Sequence, residues 1–161
     1  MYDFLPPPHP PSHTQHSLSS KTQGNVESKT IVDSGTKSDV VPDKSNLDSG
    51  TSYSCATRVV VVGGGELNSK TRGSVTLPGT SPDGKTDLTL DDVLVIPGNS
   101  CFLLSMSKMD KRGYLIVVEN GVMNFFKRGS NTPTATALLN ANDGLYHVLT
   151  KRTSTHQRFG L

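Results

Sequence analysis

From residue 30 onward, short runs of β-branched and apolar residues alternate with clusters of Gly, Pro, Asn, Asp and Ser, and no long stretch keeps a period of 3.6. Side chains of an extended chain point to opposite faces in turn, so short runs bounded by turn formers predict an all-β fold. The predicted strands are 30–32, 58–62, 73–77, 88–96, 114–118 and 122–126. Turn-forming sequence fills the gaps: GGGELNSKTRG, then SPDGKTD with Asp83-Gly84, then Asn120-Gly121, a pair suited to a two-residue hairpin. A single short helix is predicted over 104–112, where Met106 and Met109 share a face and Gly113 supplies the stop. From about Lys127 the chain is polar and poorly patterned until the run GLYHVL.

Residues 1–29 differ from the rest. They hold half of the ten prolines and three of the five histidines, with many Ser, Thr and Gln. Such a segment cannot bury enough apolar surface to offset the entropy of ordering it, so a disordered tail is expected. The stretch from Pro6 to Pro11 reads either as a linker or as a Pro-rich ligand for an SH3-like partner. His9, His13 and His16 read more simply as members of a flexible tail than as metal ligands.

The 161 residues suffice for one domain, and an apolar content of 33% predicts a small core that a second chain would help to complete. The net charge of +2 comes from scattered Lys and Arg with no basic stripe or interleaved aromatics, so direct nucleic-acid binding is not expected. Cys55 and Cys101 form no CxxC spacing, which predicts two reduced thiols, no metal site and no cofactor. The N-terminus lacks a basic segment followed by an apolar one, and no run approaches eighteen apolar residues. A soluble, unsecreted protein without a membrane partner is expected.

The tetrapeptide Asp-Ser-Gly-Thr occurs twice, at 33–36 and at 48–51. A carboxylate followed by a hydroxyl residue and a glycine suits the catalytic loop of an aspartic peptidase, where an Asp must hang from the end of a buried strand and meet a second Asp. Ile31 and Val32 give Asp33 that context, whereas Asp48 follows Lys44-Ser45-Asn46-Leu47 and reads as a turn. Spacing agrees. A glycine-tipped hairpin able to fold over substrate is predicted at 59–77, and Gly63 lies thirty positions after Asp33 but only fifteen after Asp48.

The ordered elements IVDSGTKSD at 31–39, VVVVGGGEL at 59–67, TRGSVTL at 71–77, LDDVLVIPGNSCFLLSMSKM at 90–109 and DGLYHVL at 143–149 together resemble the protease-to-integrase segment of copia-type (Pseudoviridae) retrotransposon Gag-Pol polyproteins. The resemblance implies a retropepsin-like small β-barrel over 30–118, half of a dimeric aspartic protease, followed by a pre-integrase (GAG-pre-integrase) segment over 119–161 that stops at the integrase zinc motif. There His156 stands at the first zinc-binding position and Leu161 at the second.

It further implies an aspartic endopeptidase that cleaves its own polyprotein as a homodimer, in the cytoplasm within a virus-like particle or in the nucleus. Asp33 would be the catalytic carboxylate, Ser34 and Gly35 would brace and shape its loop, and Gly63, Gly64 and Gly65 would form the tip of the substrate-binding flap. Phe102, Leu103, Leu104 and Ser105 would support the loop from beneath. Asp39 stands where the family carries His, and Lys37 brings a cation near Asp33. The competing expectation is a catalytically inactive β-barrel that serves as a dimerisation or interaction module or as a polyprotein spacer.

Overall fold

A computed structural model describes residues 29–60 and 64–151. Residues 1–28 of the tail expected at 1–29, the His156 position and Gly63 lie outside the described residues. Among the described residues, ten strands and one α-helix follow one another: β1 (Thr30–Asp33), β2 (Val40–Val41), β3 (Tyr53–Val60), β4 (Glu66–Leu77), β5 (Leu88–Val95), β6 (Phe102–Ser105), α1 (Met106–Lys111), β7 (Tyr114–Glu119), β8 (Val122–Lys127), β9 (Ala135–Leu139) and β10 (Tyr146–Val148). A 3-10 turn covers Lys44–Asn46. The fold is all-β with one short helix, as its periodicity predicts.

All ten strands join one sheet in the order β3-β4-β5-β2-β6-β1-β10-β9-β8-β7. Strands β4 and β5 stand far from β8 and β9 in that order, yet Val75, Leu77, Leu88 and Leu90 share one core with Met123, Phe125, Ala135 and Ala137. The sheet therefore curls back on itself. Hydrogen bonds fasten the curl: Thr136 N–H donates to the Thr80 carbonyl at 2.9 Å, and Thr80 Oγ1–H to the Thr134 carbonyl at 2.8 Å. Fully buried side chains such as Phe125, Leu104 and Met109 fill the centre, each contributing roughly 2–3 kcal/mol. Ala135 and Ala137 are small enough to let β9 lie close against that core.

The division expected at 118/119 falls inside β7, and the strands on both sides of it contribute to the same core. The helix is shorter than predicted. Leu104 and Ser105 extend β6, and α1 begins only after Ser105, whose side chain accepts from Lys108 N–H as its N-cap. Strand β3 starts at Tyr53, five residues before the predicted 58, because its pairing to β4 continues down to Tyr53↔Arg72. The hairpin at Asn120-Gly121 forms as predicted, both residues having positive φ (49° and 78°) and closing the pair Glu119↔Val122.

Candidate functional site

Strand β1 runs through the middle of the sheet. It lies parallel to β6, with Asp33 in register with Ser105, and antiparallel to β10 through Ile31↔His147. Thr30 and Val32 point into the core, so Asp33 leaves the sheet as a half-buried residue at the strand end. The chain then turns through exposed Ser34 and Gly35, and the Gly35 N–H donates to Asp33 Oδ1 at 2.7 Å. Among the described residues, Asp33 Oδ2 has no hydrogen-bond or ion-pair partner. One oxygen fixes the side chain to its own loop while the other is left available.

The floor beneath this loop is built from β6 and α1. Ser105, fully buried, donates its Oγ–H to the Thr36 carbonyl at 2.7 Å, and its N–H donates to Asp39 Oδ1 at 2.7 Å. The other Asp39 oxygen accepts from Arg112 Nη2 at 2.6 Å, at the C-terminal end of α1. Arg112 also donates to the Asp91 carbonyl at 2.8 Å. Asp39 is only 1% exposed, and both of its oxygens are met, one of them by a cation. The element 102–105 thus lies under the Asp33 loop, and Asp39 is an anchor of that loop.

A second charged knot lies at the β4–β5 bulge. Between Gly73↔Val93 and Val75↔Leu90, β5 carries one residue more than β4, and Asp92 takes a positive φ of 59°. Its carboxylate accepts from Arg72 Nη1 at 2.5 Å, Tyr53 Oη at 2.8 Å and Lys108 Nζ at 2.8 Å. Partial burial works to raise the Asp92 pKa, but the hydrogen bonds from Lys108, Arg72 and Tyr53 outweigh it and hold the carboxyl well below the usual range. This knot ties the base of the β3–β4 hairpin to α1, and so to the floor of the Asp33 loop.

The second Asp-Ser-Gly-Thr copy is a turn clamped onto β4. Asp48 N–H donates to the Ser74 carbonyl at 2.8 Å, and Asp48 accepts from Thr76 N–H at 3.1 Å and Thr76 Oγ1–H at 2.7 Å. Gly73 makes this docking possible, since a Cβ there would come within 2.8 Å of the Leu47 side chain. Both Asp48 oxygens are thereby occupied.

The predicted lid is a real hairpin, with β3 and β4 paired up to Val60↔Glu66 and Arg58 bonded to Glu66 near its tip. Gly64, at φ 83°, and Gly65 lie in its connection. Four strands separate β3 from β1 in the sheet, and among the described residues no hydrogen bond or ion pair joins the Asp33–Asp39 loop to the hairpin. Asp33, Ser34 and Gly35 are contiguous in the loop after β1, whereas Gly64 and Gly65 lie in the β3–β4 connection, four strands away in the sheet order.

Sequence reasoning missed Asp39–Arg112 and the Asp92 knot. The first leaves only the faint signal of a carboxylate opening the apolar pair Val40-Val41. The second was readable in LTLDDVLV, where apolar alternation slips phase between Leu90 and Val93. Cys55 and Cys101 are both free and half-buried. Among the described residues, no group of three or more His, Cys, Asp or Glu is placed to hold a metal ion, and no helix is long and apolar enough to cross a membrane.

Comparison with protein families matches residues 30–114, which are 85 of the 161, to the family described as "Pol polyprotein, beta-barrel domain". The matched segment runs from the first residue of β1 to the first residue of β7. Comparisons with curated proteins and with solved structures gave no match.

Proposed function

The chain belongs to the family of β-barrel domains of Pol polyproteins, a part of a retroelement polyprotein, and on that premise we propose that it is a copia-type aspartic endopeptidase that cleaves its own polyprotein as a homodimer. The observation that carries this reading is the Asp33 carboxylate. It stands at the end of a central strand, held by the Gly35 N–H on one oxygen and, among the described residues, unpartnered on the other, above a floor of Ser105, Asp39 and Arg112.

In this reading each copy contributes one Asp33 to a shared two-fold axis. Two carboxylates in contact cannot both ionise without a large repulsion, so the pair holds one proton. The ionised member takes a proton from a water molecule, whose oxygen attacks the scissile carbonyl. The protonated member donates to the carbonyl oxygen, and collapse of the intermediate returns a proton to the leaving nitrogen. Ser34 would brace the loop across the axis. The β3–β4 hairpin, with Gly64 and Gly65 in its connection, would cover an extended polyprotein peptide.

That no hydrogen bond or ion pair among the described residues joins that hairpin to the Asp33 loop favours a second reading, an inactive β-barrel that links polyprotein parts by association. Incubating the full chain at mildly acidic pH with a peptide spanning a polyprotein junction separates the two. Cleavage by the wild type that is lost in Asp33→Asn supports the peptidase. An associating wild type that leaves the peptide intact supports the inactive module, and activity that survives in Asp33→Asn overturns the assignment of Asp33.

A further inference from the structure

The sheet ends in two edges of unlike character. Edge β3 is interrupted by a register shift between Ser54 and Thr57 and carries Arg58, features that discourage further strand pairing. Edge β7 holds six consecutive pairs with β8 without a shift, and Leu115, Val117 and Val118 are exposed along it. Its sequence, YLIVVE, has no charge before its last residue. Leu115 and Val117, with Phe126 and the turn from Lys127 to Asn131, line an open groove of about 610 Å³ on the outer face.

The direction of the unpaired backbone groups follows from β8 and β9. The Phe125 and Gly121 carbonyls accept from Thr134 N–H and Leu139 N–H, on the β9 side. Backbone groups alternate sides along a strand, so Val122, Asn124 and Phe126 turn theirs toward β7, where they meet Glu119, Val117 and Leu115. Tyr114, Ile116 and Val118 therefore direct their N–H and C=O groups away from β8. Among the described residues, no backbone partner outside β8 meets them.

We propose that this edge is a self-association surface, on which β7 pairs antiparallel with β7 of a second copy about a two-fold axis at Ile116. In that register Tyr114 lies opposite Val118 of the second copy and Ile116 opposite its own counterpart, so all three outward-facing residues of each strand are hydrogen-bonded. Leu115 then faces Val117 of the second copy on the outer side, and the two exposed apolar pairs close over the groove.

Charge complementarity selects a second copy as the occupant. Tyr114 is in register with Lys127, so the start of β7 lies beside Lys127 and Arg128, while its other end carries Glu119. A two-fold antiparallel pairing brings each Glu119 to the basic end of the other copy. This surface does not depend on Asp33 and would operate whether or not the chain cleaves peptides.

Sedimentation of the full chain across the micromolar range tests the proposal with two substitutions. Leu115→Lys places a cation opposite Val117 of the second copy. Val118→Pro removes an outward N–H while leaving the β8 ladder intact. Both should raise the dissociation constant at least about tenfold, without loss of the circular dichroism spectrum. In a Cys55→Ser, Cys101→Ser background, Leu115→Cys with Val117→Cys should form an interchain disulfide on oxidation, and Leu115→Cys alone should not. A wild type that stays monomeric, or one whose association neither substitution weakens, overturns the proposal.

Discussion

Two identical tetrapeptides in this chain have opposite wiring. At 33–36, the Asp is the last residue of a central strand, its carboxylate accepts, among the described residues, only the Gly35 N–H, and the loop is supported from beneath by residues 105 and 112. At 48–51, the Asp opens a surface turn, and both of its oxygens are committed to Thr76. The four residues have the same intrinsic preferences in both places, for tight turns and local hydrogen bonds. What separates them is the strand before one and the neighbouring strand beneath the other. A carboxylate spent on holding a turn to a sheet is not free for chemistry.

The widest difference should appear in cleavage. Asp33→Asn is expected to lower the rate by about 10³-fold or more while leaving the melting temperature near the wild-type value, whereas Asp48→Ala should remain active. The opposite pattern in peptide-cleavage assays breaks the comparison. Next in size is Arg112→Ala, which leaves the Asp39 carboxylate buried without its cation. It should cost about 3 kcal/mol in urea unfolding and should lower cleavage as well, because the floor of the first loop goes with it.

Asp48→Ala should cost about 1 kcal/mol, since it removes two hydrogen bonds near the surface; a loss as large as that of Arg112→Ala would mean that the second turn, too, is a structural keystone. The smallest effect concerns acid. The folded-state pKa of Asp92 lies below its ordinary value of 3.8, so its contribution is fully present above that value and is lost as pH falls below it. The wild-type melting temperature should therefore drop more between about pH 5 and pH 2 than that of Asp92→Asn. An equal drop in both proteins would remove the knot from the tie between hairpin and floor.

Much of this fold could be read before the coordinates. Strand β5 showed itself by alternation, the β7–β8 hairpin by Asn120-Gly121, and the separation of Asp33 from Asp48 by the apolar pair that precedes only the first. Strand β9 could not be read in the same way. Ala135 and Ala137 carry little strand preference and flank a lone Thr136 after a polar stretch, and the segment becomes extended because β8 and β10 offer it pairing on both sides. Val40-Val41 is too short to show any period, and β2 exists through its pairing with β5 and β6. The anchor of the Asp33 loop depends on residues 39 and 112 meeting in space, a fact of topology that no local pattern encodes.

The antiparallel neighbour of β1 is β10, which lies more than a hundred positions later in the chain. Its parallel neighbour, β6, is also distant. Contacts this far apart in sequence close large loops and form slowly. During synthesis, β1 must wait for β10 before it gains both flanks. The carboxylate at its tip is thus assembled late, and a nascent polyprotein carries a built-in delay between making this aspartate and seating it.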